Sequence, residues 1–182
     1  MIFTASDLTQ RASAGDRETF AELVRIYQSG VYNVTYRMLG EQRGAEDAAQ
    51  ETFLRAFRAM HTFDPSRPPG PWLKKIAVNV CLNRLERQEP LNLDEQDLDS
   101  LGDPHWDNFP PEAQVIALER NRLIRAVLMT LPPRYRAIIE LRYFEELNYT
   151  EIAETLQRPL SDVKSDLFRA RRFLASKLKE LL

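Results

Sequence analysis

Apolar residues at Phe20, Leu23, Val24, Tyr27, Val31, Val34 and Met38 recur every three or four positions, the spacing of one face of an α-helix. Asp16, just after Gly15, is a suitable N-cap for that helix. Gly30 within it marks a weak point or bend, because glycine costs about 1 kcal/mol relative to alanine in a helix. A second helix is predicted from about Gly44 to Met60, with Ala49, Phe53, Ala56, Phe57 and Met60 on one stripe and polar residues opposite. The stretch from Phe63 to Pro71 holds four prolines and a glycine, which remove amide donors and restrict the preceding residues, so a loop is expected there. A third helix follows from Trp72 to about Gln88, burying Leu73, Ile76, Ala77, Val80 and Leu85.

Periodicity then fails. Residues 89–111 hold four prolines and a crowd of acids, the signature of a linker. It resumes near Glu112 and runs through Ile116, Leu118, Leu123, Ile124, Val127 and Leu128 to Leu131-Pro132-Pro133. The remainder reads as three helices, at about 134–145, 149–157 and 161–180. No strand alternation and no internal repeat is visible. The fold class expected is all-α: two small helical domains, 1–88 and 112–182, joined by a flexible acidic linker, 89–111.

Composition changes this picture only where charge is concerned. The 182 residues are 43% hydrophobic and 29% charged, as in a globular chain, and no apolar run approaches the roughly 18 residues of a membrane span. Net charge is −2, which at first argues against a nucleic-acid partner. Counted by segment, however, residues 1–88 carry +2, residues 89–112 carry −8 and residues 113–182 carry +4. Two mildly basic ends suit phosphate, and the acidic connector would repel it; a solvated linker explains the connector equally well. The N-terminus MIFTASDLTQ has no secretory pattern, and the single Cys81 supports no internal disulfide, so a cytoplasmic location is expected. Cys81 lies in an apolar helical stretch and reads as a core residue.

Three motifs carry candidate chemistry. Tyr149 to Gln157, then Arg158-Pro159-Leu160, then Ser161 to Arg172 has the form of a helix-turn-helix. Thr150 and Ser161 are candidate caps, Ile152, Ala153 and Leu156 face inward, and Val163, Leu167, Ala170 and Leu174 pack against them. Lys164, Ser165, Phe168, Arg169 and Arg172 are left outward, where a helix in the major groove presents side chains to bases and phosphates. A solvated basic face gives the same pattern. In the second motif, Asp47, Gln50 and Glu51 share one helix face, suited to Arg or Lys of a protein partner. Plain surface polarity is the alternative, and a metal site would need a Glu-x-x-His pair that the sequence lacks. In the third, Lys75, Asn79, Asn83 and Arg87 step by four beside Phe63 and Trp72. Aromatic faces stack on unpaired bases and amides read base edges, although a lone Trp72 is also a common core residue.

In this order and spacing the three motifs resemble the extracytoplasmic-function (ECF) group of the sigma-70 family, over nearly the whole chain. The family pattern Glu-Asp-x-x-Gln-Glu-x-Phe is matched by Glu46 to Phe53, and Trp-Leu-x-x-Ile-Ala-x-Asn by Trp72 to Asn79. The resemblance implies an alternative sigma factor with a region 2 bundle and a region 4 helix-turn-helix. Asp47, Gln50 and Glu51 would bind the clamp helices of the largest RNA polymerase subunit, and the C-terminal module would also dock on the polymerase flap. Phe63, Trp72, Lys75, Asn79 and Asn83 would contact the melted minus-ten element, with a flipped base held near Phe63 and Asn79. Arg142, Lys164, Ser165, Phe168, Arg169 and Arg172 would read the minus-thirty-five duplex. The acidic linker would thread the RNA exit channel, and an anti-sigma factor is a possible partner. No cofactor, metal or membrane insertion is implied.

The chain departs from the family at the helix-helix corner, where Gln157 stands for the usual glycine. The reading helix begins Ser161-Asp-Val-Lys-Ser-Asp166 rather than Gly-Thr-Val-Lys-Ser-Arg. Asp162 and Asp166 would then sit where phosphate is expected, weakening nonspecific affinity or favouring cytosine amino groups. The alternative reading is a helix-turn-helix regulator that binds duplex DNA without recruiting polymerase. It accounts for the C-terminal motif alone. An enzyme is disfavoured, since His61 and His105 are far apart and no nucleophile-base spacing or phosphate-cradling glycine loop occurs.

Overall fold

A computed structural model describes residues 10–12, 14–87 and 122–181. The linker expected at 89–111 and the helix start expected near Glu112, with Ile116 and Leu118, lie outside the described residues. Helix α1 spans Arg17–Leu39, α2 spans Gln42–Ala59 and α3 spans Pro69–Arg87. Residues 122–129 form α4, Pro133–Ile139 form α5, Tyr149–Leu156 form α6 and Leu160–Leu181 form α7. No strand occurs among the described residues.

Helix α1 begins as its sequence dictates: the Asp16 carboxylate accepts from the backbone N–H groups of Glu18 and Thr19, stabilising a typical cap by about 1 kcal/mol. The helix runs through Gly30 without interruption and ends at Gly40, whose φ of +79° closes it in a left-handed turn. Helix α2 packs on it by part of the predicted stripe, with Ala56 and Met60 buried and Ala49 and Phe53 against the core, but the buried face is centred on smaller residues. Ala45, Ala48, Thr52 and Ala56 are buried, whereas Phe53 is half-buried and Phe57 is exposed on one edge, its ring meeting Phe20 edge-on at 5.0 Å. Small residues let the two backbones approach, close enough for the buried Thr35 hydroxyl to donate to the Ala45 carbonyl at 2.9 Å. The large rings are therefore pushed to the rim.

Helix α3 starts three residues earlier than predicted. Pro69, Gly70 and Pro71 make its first turn, where the missing proline N–H has no intrahelical partner to lose. Gly70 is tight against α1: a β-carbon there would meet the Tyr27 ring at 2.9 Å. The helix buries Leu73, Ala77, Val78, Val80 and Cys81. This wide apolar arc follows from its position, with α1 and α2 on one side and α5 and α6 on the other.

In the second module Val127, Leu128, Leu131, Ile138, Leu141, Ile152, Val163 and Leu167 form the core. After α5 the chain takes a π-helical turn over Glu140–Phe144. Helix α6 is capped by Asn148, not Thr150: the Asn148 amide oxygen accepts from Glu151 N–H at 3.0 Å, and the Glu151 carboxylate accepts from Asn148 N–H at 2.8 Å. This reciprocal box satisfies two orphan donors, which a threonine hydroxyl alone cannot. Helix α7 starts at Leu160, one residue before the expected Ser161 cap, with the Asp162 and Val163 N–H groups donating to the Pro159 carbonyl.

Gln157 closes α6 at φ 51°, ψ 47°, in the left-handed region. Its N–H donates toward Glu154 and the Arg158 N–H to Ala153 at 2.9 Å, the two bonds of a Schellman ending. A residue with a β-carbon pays on the order of 1–2 kcal/mol for this conformation, part of which glycine gives back through its freer unfolded chain. Gln157→Gly is accordingly expected to stabilise the protein by about 0.5–1 kcal/mol, read as a higher denaturant midpoint; an unchanged or lower midpoint would contradict it.

Candidate nucleic-acid interface

Helix α7 packs through Val163, Leu167 and Ala170, leaving Lys164, Ser165, Phe168, Arg169 and Arg172 exposed. Phe168 is 62% exposed, and the Arg172 guanidinium stands 5.9 Å from its ring centre. A large bare ring flanked by cations on a helix beginning at a tight turn fits the edge of a major groove. Next to this face, Arg171 donates to the Tyr143 hydroxyl at 2.6 Å, which raises the guanidinium pKa further.

The structure corrects the reading of Asp166. Its side chain is only 3% exposed and is gripped by Arg158 at 2.5 Å and Arg134 at 3.1 Å, with Arg169 at 3.7 Å. A carboxylate shared among three guanidinium groups is neutralised locally, and it faces inward, so it neither repels phosphate nor reaches a base. Asp162, by contrast, is about half exposed, with Arg158 at 3.4 Å. Neither Arg134 nor Arg158 was singled out from the sequence; Arg158, just ahead of Pro159 in the turn, was the available clue. Arg142 is half-buried, donates to the Leu147 carbonyl at 2.8 Å and lies 5.4 Å from the Tyr149 ring centre. In this conformation it braces the turn before α6.

In the first module Asp47 and Gln50 are exposed side by side on α2. Glu51 is half-buried and committed elsewhere. It accepts from Arg84 of α3 at 2.7 and 2.9 Å and from Arg55 at 2.6 Å, and the Arg84 hydrogen bond, ahead of the Arg55 pairing, holds its carboxyl below the usual range. Phe63 is buried beneath Trp72, the ring centres 4.7 Å apart at 42°, while Trp72 keeps partial exposure. Lys75, Asn79 and Asn83 are half-buried along α3. The Asn79 amide donates to the Thr155 carbonyl of α6 at 3.0 Å. A cleft of about 510 Å³ opens beside it, lined by Asn79, Asn83 and Glu86 on one wall and by Arg134, Gln157 and Arg158 on the other. The structure thus brings together the amide stripe of α3 and the turn of the helix-turn-helix, which the sequence kept apart.

Cys81 is fully buried, and burial pushes its thiol up to about 12, so it stays a neutral core group. Among the described residues no cluster of His, Cys, Asp or Glu is arranged to hold a metal ion, and none of their helices is long and apolar enough to cross a membrane.

Residues 23–90 match the family model of sigma-70 region 2, and residues 121–174 that of sigma-70 region 4. The chain is 35% identical to the ECF RNA polymerase sigma factor SigW of Bacillus subtilis, over 94% of its own length and 95% of the relative's. The chain belongs to the ECF sigma factors. It is also 31% identical to the RNA polymerase sigma-H factor of Pseudomonas aeruginosa, over 96% of this chain and 94% of that one. In fold it is similar to CnrH, solved in complex with the cytosolic domain of CnrY, with a TM-score of 0.64 and 22% identity over 97% of this chain and 99% of that one. The sigma factor RpoE of Bartonella quintana, solved with the anti-sigma factor NepR, gives a TM-score of 0.60 at 17% identity, covering 88% and 96%. For this sigma factor, α1 to α3 therefore form region 2, and α4 to α7 lie in region 4.

Proposed function

We propose that this sigma factor recruits core RNA polymerase to selected promoters by dividing three tasks among three faces, with residues 1–88 and 112–182 as working modules and 89–111 as connector. Asp47 and Gln50 of α2, with Glu51 behind them, engage cationic side chains of the polymerase clamp helices; the flap takes region 4. Lys164, Ser165, Phe168, Arg169 and Arg172 read the duplex minus-thirty-five element, with Arg142 holding the turn that presents them. Trp72, Lys75, Asn79 and Asn83 trap bases of the minus-ten element. Unpairing a base costs a few kcal/mol, which stacking and amide hydrogen bonds in a closed pocket offset. Phe63 supports that pocket from below through its contact with Trp72. The protein carries out no bond chemistry of its own and works in the cytoplasm, where promoters are; an anti-sigma factor is its controlling partner.

The observation that carries this reading is the exposed basic and aromatic face of α7 on a chain whose region 2 and region 4 matches occur in sigma-factor order. The test is transcription in vitro with sigma-free core polymerase and genomic promoter fragments. Specific transcripts are expected only when the protein is added. A protein that shifts duplex DNA but never binds core would instead be a free-standing regulator, a reading disfavoured by likeness to sigma factors along 94% of the chain. Asp47→Ala with Gln50→Ala is expected to weaken core binding at least tenfold, a loss of about 1.4 kcal/mol, with unchanged thermal unfolding, because both side chains are exposed. Unchanged core affinity would remove this face from the site.

A further inference from the structure

The two flanks of α7 differ in charge. On one, Arg169 stands beside Asp162 and Asp166, and Arg134 and Arg158 are paired with those carboxylates. On the other, Lys164 and Arg171 lie exposed about two helical turns apart, and among the described residues neither is paired with a carboxylate. Arg171 is nevertheless held in place. Its Nε donates to the Tyr143 hydroxyl at 2.6 Å, and its guanidinium stands 5.7 Å from the Tyr143 ring centre. That hydrogen bond, with a smaller part from Tyr149 of α6, favours the cation further. Tyr143 belongs to the π-helical turn Glu140–Phe144, in which the Glu145 N–H reaches back to the Glu140 carbonyl at 3.1 Å. Such wide turns are rare and recur at functional sites. This one leaves the Tyr143 ring 50% exposed.

A hydrogen bond between two groups that water solvates equally well adds little to stability, so the pair is explained by what it orients. Arginine carries five N–H donors in a planar fork, and Tyr143 occupies only Nε. Both Nη groups remain for an oxyanion, in the bidentate geometry that suits phosphate. Fixing a long side chain beforehand also lowers the ordering cost of binding. The anion that fits this place is a phosphate of the DNA backbone, because a helix lying in the major groove turns its outer face to the bases and its flanks to the groove walls. We propose that Arg171 grips one backbone phosphate of the minus-thirty-five duplex and that Tyr143 positions it, so that the acid-free Lys164 flank of α7, not the Asp162 flank, is pressed on the groove wall. The proposal rests on the minus-thirty-five reading above and adds two residues and an orientation to it.

The experiment uses holoenzyme assembled from sigma-free core polymerase and the full-length parent, Arg171→Ala, Tyr143→Phe, or both changes together. Affinity is measured for promoter fragments in which one minus-thirty-five phosphate at a time is replaced by a neutral methylphosphonate. On unmodified DNA, Arg171→Ala should bind about tenfold more weakly and Tyr143→Phe about threefold. The coupling between protein and DNA changes separates a phosphate contact from a structural effect. At one phosphate the parent should lose about tenfold on neutralisation while Arg171→Ala loses almost nothing; elsewhere both should lose equally. The double variant should bind no worse than Arg171→Ala, because Tyr143 acts through Arg171. A uniform loss with no coupled phosphate would overturn the assignment, since a merely weakened helix gives that pattern. Tyr143→Phe binding as tightly as the parent would overturn the positioning role. Failure of the sigma reading looks different: no complex with core would form, and the same scan with the chain alone on duplex DNA would still decide the phosphate contact.

Discussion

Replacing Arg136 by alanine should cost the protein about 3–5 kcal/mol, the range for breaking a buried, fully used charged group. Arg136 is 6% exposed. Its Nε donates to the Leu128 carbonyl at 2.9 Å, Nη2 to Leu131 at 3.0 Å and Met129 at 3.2 Å, and Nη1 to Met38. These carbonyls lie at and just past the C-terminal end of α4, where helical donors run short; Leu128 also accepts from the Leu131 N–H, and one guanidinium donates to all of them. Burial lowers the Arg136 pKa to about 10, so the cation is retained at neutral pH and the desolvation cost is offset by the carbonyl cage. Truncation removes the cage's donors and leaves a void. Arg136→Met, which keeps volume but no donors, should lose nearly as much as alanine. Arg136→Lys, with a single point of attachment, should recover only part. Denaturant unfolding followed by circular dichroism measures all three, and a loss below about 1 kcal/mol for alanine, the size of a surface effect, would show that water can replace the side chain.

Asp166→Ala is expected to weaken minus-thirty-five binding even though it deletes a negative charge from a DNA-binding helix. Charge counting predicts the opposite, since each repelling carboxylate removed strengthens phosphate attraction. The structure decides between them: Asp166 is buried and ties Arg158 of the turn and Arg134 of α5 to α7. Without it the two guanidinium groups lose their shared partner at the point where the reading helix leaves the turn. Arg134 is 45% exposed and can turn to water, which keeps the stability loss near about 2 kcal/mol, below the range for a fully enclosed pair. DNA affinity should fall about tenfold, with the affinity of the protein for core polymerase through region 2 unchanged. Asp166→Asn, which keeps the shape and one acceptor, should fall in between. Tighter DNA binding by Asp166→Ala would restore the simple repulsion account.

The separation between what sequence and fold each contribute is clear in particular elements. The all-α class, the order of helices and the Asp16 cap were legible because they depend on local periodicity and on a side chain reaching its own backbone. The outward face of α7 was legible for the same reason: Val163, Leu167 and Ala170 fix its inner side, so Lys164, Phe168 and Arg172 had to face out. Where packing partners compete, the pattern misled. The buried face of α2 keeps the predicted Ala56 and Met60 but is centred on Ala45, Ala48 and Thr52, leaving Phe57 at the rim, and α3 began at Pro69 because a first turn needs no proline N–H.

The sequence by itself determined the family and which residue types lie on which faces, since the motifs carrying them are contiguous and their spacing sets helix register. Only the tertiary structure decided which of those charges remain available. Asp166 and Glu51, which read as surface carboxylates, are consumed by Arg134 and Arg84 from other helices and by Arg158 of the adjoining turn, and Arg37, unremarked in sequence, finds Glu140 more than a hundred residues away. Such pairings depend on how helices from different segments are set against each other, and nothing within one turn of helix encodes that distance.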